Sequence, residues 1–189
     1  MRFHYPTFDV AITRSFKRDA LGWPARGEAS EDSGLGGNRD YIDLRQVSWK
    51  DASRVFELER EMMRRIESLQ ECDPDSNTFQ EELVECERYL YGLDLGVASS
   101  VIALSAARCV PFSCCNAGAF GDHHQEKFPL VAFYARRHIA DLILAAAEES
   151  GVGLQGDKFL IAFSDDIRKM PSFARALISR RRQFETLRR

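Results

Sequence analysis

Apolar positions recur along this chain in two patterns, a stripe at helical spacing and a short unbroken run, and the two predict different elements. Val55, Leu58, Met62, Ile66 and Leu69 share one stripe, so a helix is expected from Ser48 to about Gln70. Ser48-Trp49-Lys50-Asp51 opens it as a capping box, the serine side chain serving a backbone donor that the first turn leaves without a partner. Asp73-Pro74-Asp75 interrupts the pattern. Thr78 to Glu81 then opens a second helix by the same device, with Phe79, Leu83, Cys86 and Leu90 on its inner stripe and Gly92 at its end. Helices joined this closely are expected to pair antiparallel.

From Leu95 to about Arg108 the chain is apolar almost all round and rich in Ala and Ser. A buried helix follows, with Asp94 as its cap. Val110 to Cys115 reads as a strand that Pro111 confines to an edge. Residues 129–135 form a second strand, and residues 136–150 a helix with Ile139, Leu142, Ile143 and Ala146 inward and Gly151 ending it. Phe159 to Phe163 is apolar on both faces and therefore central. Asp165 or Asp166 caps a last helix that turns Phe173, Leu177 and Ile178 inward.

This order predicts an α+β fold, a small mixed three- or four-stranded sheet packed against several helices. After the N-terminal helical pair the order is partly ferredoxin-like: helix, strand, strand, helix, strand, helix. The first two strands are expected to be antiparallel neighbours, and the 129–165 unit a right-handed crossover between parallel strands. Phe8, Val10 and Ile12 alternate, which makes an N-terminal strand a candidate to complete the sheet. Residues 22–39 are dominated by Gly, Ser and acidic side chains, too little apolar surface to offset the entropy of ordering. The expected organisation is a weakly ordered arm and linker over 1–40 and one α+β domain over 41–189. That domain comprises the helical pair 48–91 and a sheet-containing part 94–189.

Charge changes this picture locally. The formal net charge of -3 argues against nucleic acid as the partner. Residues 50–95 nevertheless hold 6 Lys/Arg against 13 Asp/Glu, and residues 166–189 hold 8 against 2, so acidic and basic helices offer interaction surfaces. No apolar run reaches the length of a membrane span, and the N-terminus lacks the apolar core of a signal peptide. Five cysteines, an odd number, then favour reduced thiols and a cytoplasmic location.

Chemistry concentrates between Cys114 and Glu126. Adjacent strand residues face opposite ways, so if Val110, Phe112 and Cys114 face the core, Ser113 and Cys115 do not. Cys115 or Cys114 is a candidate nucleophile, with His123 or His124 as the base that lowers its pKa and Asn116 orienting that base. Cys109, Cys114, Cys115, His123, His124 and Glu126 are zinc-type ligands, but their spacing departs from the usual paired pattern. Gly118, Phe120, Gly121 and Glu126 are candidate ligand contacts, the glycines supplying a turn or an anion nest. No spacing places a nucleophile, a base and an orienting group together. The leading expectation is therefore a binding or regulatory module that presents the 114–126 loop to a protein partner or small ligand. The alternatives are a cysteine-dependent hydrolase or transferase and a metal site on the same loop. No cofactor is indicated.

Overall fold

A computed structural model of the chain describes residues 4–25, 27–30, 33–68, 76–121 and 126–187. Within them helices cover a mixed, open, five-stranded sheet. The helices are α1 (Trp49–Glu67), α2 (Asn77–Tyr89), α3 (Ala98–Ala106), α4 (Ala140–Ser150), α5 (Lys169–Ser179) and α6 (Arg181–Thr186). The strands are β1 (Arg14–Phe16), β2 (Val110–Cys115), β3 (Leu130–Tyr134), β4 (Gly153–Gly156) and β5 (Leu160–Phe163), in the spatial order β1-β4-β5-β3-β2.

Ser48 and Asp51 form the capping box at the start of α1, and Val55, Met62 and Ile66 are buried along its inner face. The second helix is capped by Ser76, not Thr78. Its hydroxyl accepts the Phe79 N–H at 3.3 Å, while Phe79, Leu83 and Cys86 turn inward as expected. Leu69, Gln70 and the Asp73-Pro74-Asp75 breaker lie outside the described residues. The last helix divides at Arg180 into α5 and α6, and Phe184 of α6 packs on Trp49 with ring centroids 5.6 Å apart. Asp166 acts one turn ahead of α5, where its carboxylate accepts the Arg168 N–H at 2.9 Å.

Strand β5 is the middle strand of the five, as its two apolar faces require, and β2 is an edge strand, as Pro111 requires. β2 and β3 are antiparallel neighbours. The expected parallel pairing across residues 129–165 is not what forms. β3 and β5 run antiparallel, and α4 instead leads into β4, which pairs antiparallel with the other side of β5. The crossover is real, but it lands one strand further out, and β5 then turns back into the gap. Gly153-Leu154-Gln155-Gly156 carries little strand propensity. A side chain at Gly153 would meet the Phe163 ring at 2.3 Å, so glycine is what lets these strands pack. The N-terminal strand is also displaced, to Arg14–Phe16, parallel to β4. Arg14 holds it there by donating to the Val152 carbonyl at 2.9 Å and the Ala147 carbonyl at 3.3 Å.

Both faces of the sheet are covered. Val131, Phe133, Leu160 and Ala162 point into the main core beneath α1, α3, α4 and α5. Their alternates Ala132, Tyr134, Phe159 and Ile161 join a second cluster with Val110, Phe112, Ala29, Leu35 and Tyr41. That second layer comes from the Gly- and Ser-rich segment whose composition suggests a linker. Asn38 donates its side-chain amide to the Phe112 carbonyl at 2.8 Å, and the Tyr41 hydroxyl donates to the Ala29 carbonyl at 2.8 Å. Gly36, at a φ of 66°, lies so close to Phe112 that a Cβ would meet its ring at 2.3 Å.

Candidate functional site

Strand β2 does not alternate as the sequence suggests. Pro111 pairs with Phe133 and Ser113 with Ala132, so Phe112 is an extra residue in a bulge. Val110 and Phe112 consequently pack in the second cluster, whereas Cys114, two residues beyond, packs against the main core. The phase reversal separates Phe112 from Cys114, two residues that strict alternation would put on one face.

Cys114 and Cys115 therefore end β2 in different surroundings. Burial pushes the Cys114 thiol up, and the nearby carboxylates of Asp94 and Glu59 push it the same way. Cys115 is buried, and that burial raises its thiol too, partly offset by the backbone N–H groups of Ala117 and Glu126. The Ala117 N–H donates to the Cys115 sulfur at 3.2 Å. Burial likewise lifts Cys86 to about 11 and raises Cys109. Each of these environments disfavours the thiolate, the form that attacks or binds metal.

Asn116 is fully buried and its amide is committed within the protein. Its side-chain nitrogen donates to the Leu95 carbonyl at 3.4 Å, and its side-chain oxygen accepts the Gly118 N–H at 3.0 Å. Its own N–H donates to the Asp94 carboxylate at 3.2 Å. Ala117, Gly118 and Gly121 all have positive φ, and the chain closes a double turn with Ala119 N–H to Asn116 and Gly121 N–H to Gly118. The turn drives Phe120 into the core, edge-on to Tyr5 at 5.8 Å. Glu126 is exposed, and His123 and His124 lie outside the described residues. Among the described residues no group of three His, Cys, Asp or Glu side chains is placed to hold a metal ion.

One buried residue has no counterpart in the sequence reading. Glu59, in mid-α1, is wholly buried, and its carboxylate accepts the N–H of Gly96 at 3.0 Å, the N–H of Ser99 at 3.2 Å and the Ser99 hydroxyl. It caps α3, the role expected of Asp94, whose carboxylate accepts the Asn116 N–H. Burial outweighs these donors and raises the Glu59 carboxyl to about 7. Only its position in a polar gap of the α1 stripe could have signalled it.

The 116–121 turn also joins α2. Gln80 donates its amide to the Phe120 carbonyl at 3.4 Å. Gln80 begins an outward face on which Glu81, Val84, Glu85, Arg88 and Tyr89 line an open depression of 520 Å³. Val84 is 56% exposed and Tyr89 60%, large apolar groups set among Glu81, Glu85 and Arg88. Tyr89 and Glu85 continue into a 300 Å³ groove between α1 and α2, over Leu58 and Met62.

Comparison with family models, with curated proteins and with solved structures found no match to this chain. No helix of the described residues is long and apolar enough to cross a membrane.

Proposed function

We propose that this protein is a binding module whose partner surface is the outward face of α2 together with the adjoining 116–121 turn. Its partner is a segment of another protein that carries apolar and basic side chains on one helical face. The observation that carries this reading is the exposure of Val84 and Tyr89 on a face rimmed by Glu81, Glu85 and Arg88, two carboxylates to one guanidinium. Exposed apolar groups clustered within a polar rim mark interaction surfaces, and an acidic rim selects basic partners. Helix-in-groove recognition needs this kind of surface, an apolar trough with anchor positions at helical spacing. The upward-shifted thiols support binding over thiol catalysis at the same corner of the molecule.

The test is titration of a fluorescein-labelled amphipathic peptide of leucine and lysine, read by anisotropy, against the wild type and a V84E/Y89E variant. Both sites are exposed, so the variant is expected to keep its stability within roughly 0.5 kcal/mol. Binding should weaken by about 10-fold or more. Equal binding by wild type and variant, or no binding by either, would show that α2 is not the partner surface.

A further inference from the structure

We propose that the end of the sheet remote from the 116–121 turn binds a phosphate-bearing small molecule between Arg108 and Arg136, with Trp23 as a wall. Arg108 precedes β2 and Arg136 follows β3. Because Val110 pairs with Tyr134 in that antiparallel pair, both arginines emerge at the same end. With Trp23, Arg45, Gln46 and Val110 they line a pocket of 540 Å³, a size that suits a small metabolite.

Each cationic group is held in place by something other than an opposite charge. The Arg136 guanidinium lies over the Trp23 ring, 4.2 Å from its centroid. Stacking of this kind restrains the guanidinium while leaving its in-plane donors able to bind a ligand. The backbone leading into Trp23 is tied down, since the Gly22 N–H donates to the Lys158 carbonyl at 2.8 Å in the turn between β4 and β5. Trp23 as a residue remains 37% exposed. Arg108 donates to the Arg45 carbonyl at 2.6 Å and holds a left-handed backbone, with a φ of 69°. That conformation is unfavourable for a residue with a side chain and is found where surrounding structure enforces it.

The charges are unequally answered. Arg45 makes a two-pronged pair with Asp43, at 2.8 and 2.6 Å. Among the described residues no carboxylate pairs with Arg108 or Arg136. Two restrained guanidinium groups with no counter-charge among the described residues suit a dianion, and their forked donors match phosphate oxygens. Confinement to a pocket, in a chain of net charge -3, favours a small molecule over a nucleic-acid backbone.

Tryptophan fluorescence and calorimetry of the full chain test the site with inorganic phosphate, adenosine 5′-monophosphate and a single-stranded oligonucleotide. Trp49 is buried against Phe184, so Trp23 carries the solvent-accessible signal, and W23F should abolish the fluorescence response. Phosphate and the nucleotide are expected to bind saturably at low salt. R136A, and R108G (which keeps the positive φ without strain), should each weaken binding by about 10-fold or more. R136K should weaken it as well, since an ammonium cannot both stack and chelate. Absence of saturable binding of either small molecule up to about 10 mM would overturn the proposal. So would undiminished binding by both arginine variants, or tighter binding of the oligonucleotide per phosphate than of the nucleotide.

Discussion

Glu59 and Ser99 stand 40 residues apart in the chain, yet the carboxylate of the first accepts both the backbone N–H, at 3.2 Å, and the hydroxyl of the second. This contact bolts the middle of α1 to the first turn of α3. It supplies acceptors to donors that a helix start leaves open, at a depth where water cannot do so. The cost is a carboxyl group buried with no cation against it among the described residues, and its pKa, pushed up to about 7, reflects that cost.

The folded protein therefore holds the Glu59 proton more tightly than the unfolded chain does. The sign follows directly. This group favours folding most below its ordinary value of 4.5, and that contribution falls as pH rises and is lost above about 7. The change amounts to roughly 3 kcal/mol. Urea midpoints measured across this window for wild type and E59Q should diverge with pH, the variant lacking the titration. Parallel curves would show that Glu59 does not titrate with folding.

Asn116 fastens the 116–121 turn to the lead-in of α3 through the Leu95 carbonyl and the Asp94 carboxylate. N116A removes the side-chain amide but leaves the Leu95 carbonyl and the Gly118 N–H to find other partners in a buried setting. A loss of about 1–3 kcal/mol is expected in chemical denaturation. N116D should be worse than N116A, because it brings a negative charge next to Asp94 and to a carbonyl. A variant as stable as wild type would mean that water replaces the amide.

The second layer depends on contact between Gly36 and Phe112. In G36A the new methyl group collides with a ring at 2.3 Å and must also occupy a positive φ. Limited proteolysis should then cut within residues 27–42 far sooner than in the wild type. F112A removes the ring and should relieve part of the collision while costing core stability of about 3 kcal/mol or more. Unchanged proteolysis in G36A would show that this segment is not held by the contact.

Burial raises the thiols of Cys86, Cys109, Cys114 and Cys115, so each should react slowly with iodoacetamide at neutral pH. Mass spectrometry after timed labelling gives the measurement. Rates at Cys114 and Cys115 should rise steeply towards alkaline pH as the thiolates form. Rapid, selective labelling of Cys115 near pH 7 would revive the nucleophile.

Much of the fold is legible where the controlling interactions are local. The Ser48–Asp51 capping box, the stripes of α1 and α2, the two apolar faces of β5 and the edge position forced by Pro111 all follow from periodicity or from one residue's backbone chemistry. The candidate corner at the end of β2 is legible in the same limited sense. Its glycines do make the turn, but the pattern of residues there cannot reveal that a bulge at Phe112 reverses the phase, because one extra residue leaves no mark on composition.

What the sequence determined by itself was the main helices, the strands β2, β3 and β5, and the apolar stripes of α1 and α2, since these depend on side-chain spacing within a few turns of chain. Tertiary structure decided the rest. It sent α4 to β4 instead of β5, laid Ala29, Leu35 and Tyr41 over the second face of the sheet, and placed Glu59 beneath α3. It also brought Trp23, Arg45, Arg108 and Arg136 to one pocket from four separated segments. These outcomes depend on which distant surfaces exclude water together, and that is a property of the assembled molecule, not of any stretch of it.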